Sequence, residues 1–246
     1  MIGRMTQTTL EPPEAPERRR RGVAFWFGVA LILAGLGVLA YVAWQFFGTN
    51  VVAHRAQDRI VEQTRRAWDE GRTSDDGAGG GGSGGASARA VDLAGAQALI
   101  RIPRFGKSYV MPVQAGVSTR VLAEGFGHFT GSAKPGQVGN YAVAAHRVTH
   151  GEPLREMPRL RPGDEVVVET RKATYTYRLD TNPNDLVVGF HEVWVIDPLP
   201  KNPRAGGVQP DQAKGQRLIT LTTCAELFHT DNRMIVFGHL VSTTAR

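Results

Sequence analysis

A chain of 246 residues, 41% hydrophobic and 21% charged, has room for one or two domains, and a net charge of +6 with a pI near 9.8 suits an anionic partner. The basic residues of the part expected to fold are scattered, and no aromatic residues interleave with a basic run. That argues against nucleic acid and leaves attraction to an anionic membrane or wall surface. The single cysteine, Cys224, excludes an intrachain disulfide and stands as a free thiol.

Residues 1–22 are rich in Pro, Glu, Thr and Arg, have no apolar period, and are expected to be a disordered cytoplasmic tail. The tail ends in Arg18, Arg19, Arg20 and Arg21, and residues 23–47 then run without a charge. At 1.5 Å per residue this run is long enough for a transmembrane helix across about 30 Å of hydrocarbon. Trp26, Tyr41 and Trp44 lie near its ends, as an aromatic belt does, and the four arginines favour an inside amino terminus. Arg55, Arg59, Arg65 and Arg66 on the far side dilute that bias. A cleaved signal peptide, with Val38 and Ala40 as its small-residue site, is the rival reading, and the length of the run argues against it.

Residues 48–70 carry Ala53, Ile60, Ala67 and Trp68 among charges and read as a modestly amphipathic juxtamembrane stalk. Residues 71–88 form a Gly/Ser-rich linker, with seven glycines between Gly77 and Gly85, which would leave the domain beyond it tethered and free to swivel.

From Arg89 to Arg246 the pattern changes to short β-prone runs punctuated by Gly, Pro, Asn and Asp. The candidate strands are 98–102, 109–113, 140–145, 165–170, 174–179, 186–188, 191–196, 218–223 and 234–241, with 121–127 and 153–160 as short helices or turns. Many short strands and no long amphipathic helix predict an all-β, mostly antiparallel barrel or sandwich.

The last hairpin holds the first chemical signal. Thr220-Leu221-Thr222-Thr223-Cys224 ends one strand and Arg233 opens the next, so a hairpin places Cys224 beside Arg233 at one rim of the sheet. A guanidinium next to a thiol favours the reactive thiolate and can stabilise an oxyanion that forms on attack at a carbonyl. His146, at the end of the strand 140–145, supplies the acid and base such chemistry needs. A bland reading, with Cys224 a small buried hydrophobe and Arg233 a surface cation, is the alternative. His146 and His150 lie four apart but in a strand and turn, without a further ligand, so no metal is expected.

Together these motifs resemble the sortase family. Thr220 to Cys224 is similar to its Thr-Leu-any-Thr-Cys signature, and Arg233 lies nine residues on, where sortases keep an arginine. The stretch Ala144-Ala145-His146-Arg147-Val148-Thr149-His150-Gly151 resembles the sortase histidine region. The stretch 125–140, with Gly125-Phe126-Gly127-His128 and Pro135-Gly136 before Gly139-Asn140, resembles the run found in class E and its near relatives. Ala145, where Gly is usual, and Ala225-Glu226 after the cysteine depart from the pattern and bear on the shape of the substrate groove.

The resemblance implies an eight-stranded sortase-type β-barrel with short helices, and a cysteine transpeptidase with no cofactor. Cys224 would be the nucleophile, His146 the acid/base and Arg233 the oxyanion partner. Thr223 and His128 are lesser candidates, Thr223 for positioning Cys224 and His128 for lining the site, although an ordinary strand residue and a structural histidine are the alternatives. The implied partners are secreted proteins with a C-terminal sorting signal, Leu-Ala-x-Thr-Gly in type, and an amine from a peptidoglycan precursor such as lipid II or from a pilin lysine. A pilin-polymerising sortase, a plain cysteine hydrolase and a tethered, non-catalytic wall- or partner-binding β-domain are the competing readings. L,D-transpeptidases resemble a different pattern, Ser-His-Gly-Cys, which this chain lacks.

Overall fold

The computed structural model describes residues 22–44, 49–77, 96–226 and 231–246. All but Gly22 of the expected tail and most of the expected glycine-rich linker lie outside them. The described chain falls into two compact units that divide after Val42. The first contains all but the last residue of the helix α1 (Val23–Ala43), which is long and apolar enough over Val23–Val42 to cross a membrane.

The second unit runs from Ala43 to Arg246 and therefore begins well before Arg89. It includes α2 (Thr49–Gly77), the segment the sequence presents as a stalk and the start of a linker. Ala53, Gln57, Val61, Thr64 and Trp68 are all buried, and their spacing of three or four residues forms one stripe along the helix. Val61 and Trp68 pack on Ala96 and Leu99, and the Ala96 N–H donates to Thr64 Oγ1 at 3.1 Å.

The remaining elements are β1 (Ala98–Arg101), β2 (Met111–Ala115), α3 (Thr119–Glu124), β3 (Phe126–His128), β4 (Gly139–Ala144), β5 (Glu165–Glu169), β6 (Ala173–Leu179), β7 (Val187–Gly189), β8 (Arg217–Cys224) and β9 (Asn232–Ala245). Eight strands close in the order β6-β5-β1-β2-β3-β4-β8-β9, with β9 returning to β6 and the short β7 added on β9. Closure leaves no free edge among the eight. Two ladders are parallel, β2 with β3 and β4 with β8.

Two local expectations change. Residues 191–196 hold a 3₁₀ turn (Val193–Ile196) rather than a strand, because their apolar side chains cover the outside of the barrel. Phe126 and Gly127, expected at the end of a helix or turn, are instead drawn with His128 into the sheet by pairing with β2 on one side and β4 on the other.

Strand periodicity explains both apolar faces of β8 and β9. Ile219, Leu221, Met234 and Val236 join Tyr141, Val143 and Ala145 of the barrel interior. Ile235 and Phe237 point the other way and pack with Leu186 and Val195 of the crossover that follows β6. That crossover is pinned by Asn140, which is fully buried. Its Nδ2 donates to the Val195 and Asp197 carbonyls at 3.2 and 3.1 Å, and its Oδ1 accepts from Thr220 Oγ1 at 2.8 Å.

Asn140→Ala is therefore expected to lower stability by about 1–3 kcal/mol, the cost of leaving buried carbonyls unpaired. Chemical denaturation of the variant against the parent chain measures it.

Candidate active site

The site is built at the rim where β4 and β8 end. Because β4 and β8 are parallel, with Ala144 opposite Thr222, their carboxyl ends emerge side by side. The ladder continues one step further, with the Ala145 N–H donating to the Thr222 carbonyl at 3.2 Å. His146 and Cys224 each follow the last paired position, Ala144 and Thr222, by two residues. β9 runs antiparallel to β8, and its register places Arg233 directly opposite Cys224.

Side-chain parity aims all three at the same face. Asn140, Thr220 and Phe237 face the outer crossover. Counting by twos from each, β4 leads to His146, β8 to Cys224 and β9 to Arg233. One outward-facing surface is thus filled by apolar packing at one end and presents a thiol, an imidazole and a guanidinium at the other. Cys224 and Arg233 are both half-buried, and the thiol is free.

The residues around this trio fix its geometry. Thr223 Oγ1 donates to the Ala145 carbonyl at 2.8 Å, joining the residue before the thiol to the residue before the imidazole. Arg147 Nη1 donates to the carbonyls of Cys224 and Ala225, holding the strand end where it leaves the sheet. The Arg233 guanidinium lies over the Phe190 ring, 4.8 Å from its centroid, and donates to the Asn232 carbonyl at 3.0 Å. Stacking on an aromatic face helps to orient the planar guanidinium. His128 is placed differently, since its Nε2 is 3.0 Å from the Ala133 carbonyl and its ring tilts against Tyr141, inside the β3–β4 connection.

His146 sits in a strained setting. After it the chain turns through three consecutive left-handed residues, His150 at φ 55°, Gly151 at φ 78° and Glu152 at φ 49°. Two of these are not glycine, and each costs about 1–2 kcal/mol in that conformation. The turn lays the His150 ring on the His146 ring, 4.8 Å between centroids and 24° between planes. His146 Nε2 is buried without a hydrogen-bond partner. Burial, then the neighbouring His150 and Arg233, push the His146 pKa down to about 4, so the imidazole is neutral at pH 7.

The arrangement gathers a free thiol, a neutral imidazole and a guanidinium at one rim, groups that can serve acyl transfer through a covalent intermediate. Among the described residues no group of three or more His, Cys, Asp or Glu is placed to hold a metal ion. Sequence reasoning missed Arg147, Phe190 and the stacking role of His150. Arg147 directly follows His146, yet its partners, two backbone carbonyls on another strand, leave no mark in the sequence.

A closed eight-stranded barrel brings a Cys, a His and an Arg to one rim. The sortase-domain family matches residues 100–241, and the chain belongs to that family, within class E. Sortase SrtE1 of Streptomyces coelicolor is 33% identical over 231 residues, 89% of this chain and 57% of that protein, so this chain spans little more than half its length. The structure of sortase E from Streptomyces avermitilis is 41% identical, with a TM-score of 0.52 over 61% of this chain and 90% of that one. The structure of sortase E1 from Streptomyces coelicolor with a tripeptide in its active site is 33% identical, with a TM-score of 0.53 over 61% of this chain and 91% of that one.

The depressed His146 pKa gives a testable pH dependence. Between about pH 4 and 6.5 the unfolded state binds a proton that folded His146 refuses, so stability rises with pH across that window. The contribution is complete above about 6.5 and is lost as pH falls toward 4; buried His128, also shifted down, acts in the same direction. Denaturation midpoints measured from pH 7 to pH 4 are expected to fall less steeply in His146→Gln than in the parent chain.

Proposed function

We propose that this chain is a membrane-anchored transpeptidase that cleaves a Leu-Ala-x-Thr-Gly-like sorting signal between Thr and Gly and passes the Thr acyl group to an amine. The observation that carries the reading is the convergence of Cys224, His146 and Arg233 from three adjacent strands on one rim. Peptide occupancy of the corresponding enzyme's site in Streptomyces coelicolor supports a peptide substrate.

In this reading neutral His146 accepts the Cys224 thiol proton as the sulfur attacks the Thr carbonyl carbon. Arg233 donates hydrogen bonds to the oxyanion of the tetrahedral intermediate. When the C–N bond breaks, the imidazolium gives its proton to the departing Gly amine, leaving a Thr thioester on Cys224. The low basicity of buried His146 makes that imidazolium a ready proton donor. An incoming amine then attacks the thioester, His146 takes its surplus proton, the C–S bond breaks, and the imidazolium returns that proton to the departing Cys224 sulfur.

Thr223 holds the two strand ends in register through its bond to Ala145. His128 supports the β3–β4 connection beside the site. The amine belongs to a peptidoglycan precursor, with a pilin lysine as the variant acceptor. We assign α1 as the anchor, its amino terminus inside and the barrel outside, since Arg18–Arg21 precede it and both substrates are presented at the outer membrane face.

The deciding experiment incubates the full chain in detergent with a Leu-Ala-x-Thr-Gly peptide, with and without a small amine, beside Cys224→Ala, and follows the products by mass spectrometry. A Thr–amine adduct absent in the variant is the expected result. Cleavage without adduct indicates a hydrolase, and no acyl-enzyme on Cys224 with this or a Leu-Pro-x-Thr-Gly peptide overturns the reading. Arg233→Lys is expected to lower kcat by about 100-fold without shifting the unfolding midpoint, because an ammonium lacks the guanidinium's planar fork of donors. Unchanged kcat removes Arg233 from the chemistry.

A further inference from the structure

The helix α2 reaches the turn that carries the stacked His150. Asn50 and Gln57 lie seven residues apart, two turns along one face of α2, and both aim at the single peptide unit joining His150 to Gly151. Gln57 Nε2 donates to the His150 carbonyl at 3.0 Å, and the Gly151 N–H donates to Asn50 Oδ1 at 3.0 Å. Both polar ends of one peptide are thereby held by the helix. Asn50 Nδ2 adds a third bond, to Glu152 Oε1 at 2.9 Å.

The fit is close. Gln57 is 1% exposed, and a Cβ at Gly151 would stand 2.6 Å from its amide oxygen, so a larger residue there would displace the Gln57 side chain. The turn needs outside support, because His150 and Glu152 hold a left-handed conformation that their own side chains disfavour. Its internal bonds, Glu152 N–H to the Thr149 carbonyl at 3.1 Å and Leu154 N–H to the His146 carbonyl at 3.0 Å, leave the 150–151 peptide to α2. Carried by that peptide, the His150 ring lies against His146.

We propose that Asn50 and Gln57 are positioning residues for the transpeptidation reaction. By clamping the 150–151 peptide, α2 sets the place of the His150 ring and, through it, the orientation of the His146 imidazole. The inference rests on the acid/base role of His146. It makes the segment between membrane helix and barrel a part of the site instead of a spacer.

The test uses the full chain in detergent, with Gln57→Met, which keeps the side-chain length and loses the donor, and Asn50→Ala. Each is expected to lower kcat by about ten- to a hundred-fold, the scale of a small misplacement of a catalytic group, while KM stays within about two-fold. The double variant is expected to be no worse than about the stronger single one, since both residues hold the same peptide. A kcat within about two-fold of the parent in both single variants, or a loss confined to KM, overturns the clamp.

A second readout is independent of turnover. The His146 ring resonance, followed by NMR and assigned with His146→Gln, is expected to shift in Gln57→Met. An unmoved resonance overturns the clamp even where the peptide is processed. A shifted resonance in a chain that forms no acyl-enzyme on Cys224 supports the clamp and sinks the transpeptidase reading instead.

Discussion

The site depends on the parallel pairing of β4 with β8. In an all-antiparallel barrel, neighbouring strands end at opposite rims, and a residue at the carboxyl end of one cannot meet a residue at the carboxyl end of the next. Here two strands whose paired residues lie 78 apart in sequence, as Ala144 and Thr222 do, run in the same direction and bring His146 and Cys224 to one rim. The long connection between them contains β5, β6, β7 and the apolar crossover, so the chain that separates the two residues also closes the barrel and covers its outer face. β9, returning antiparallel, then brings Arg233 opposite the thiol.

Electrostatics and packing pull in one direction at His146. The ring is removed from water, stacked on a second imidazole and near a guanidinium, and each of these disfavours its protonated form. The cost is a resting imidazole that binds a proton poorly. The gain, in the proposed chemistry, is a neutral base beside a thiol and a strong acid once it is protonated. Arg147 and Arg233 divide the cationic work, one holding backbone carbonyls at the strand end and the other lying over Phe190 across from the thiol.

The helix α2 illustrates how hydropathy can understate packing. Its buried stripe includes Gln57 and Thr64, both polar and both hydrogen-bonded to backbone groups of the barrel unit. Ala53, Ile60, Ala67 and Trp68 among charged neighbours make only a modest apolar period. The helix docks through the Gln57 and Thr64 hydrogen bonds as well as through Val61 and Trp68. Its partners, Ala96, Leu99 and the 150–152 turn, cannot be known before the barrel is formed.

What the sequence determined by itself was the apolar helix, the β-rich domain, and the pairing of Cys224 with Arg233. Each follows from local pattern: an uncharged run, period-two alternation, and a hairpin whose two arms are adjacent in the chain. Only the tertiary structure decided the rest. It drew Phe126–His128 into the sheet and left 193–196 as a 3₁₀ cover, because pairing partners and exposed faces are supplied by distant strands. It set His146 beside a strand 78 residues away, turned His150 onto it, and docked α2 behind that turn. These contacts carry no sequence periodicity, since hydrogen bonds to backbone groups depend on where the backbone goes and not on which side chains it bears.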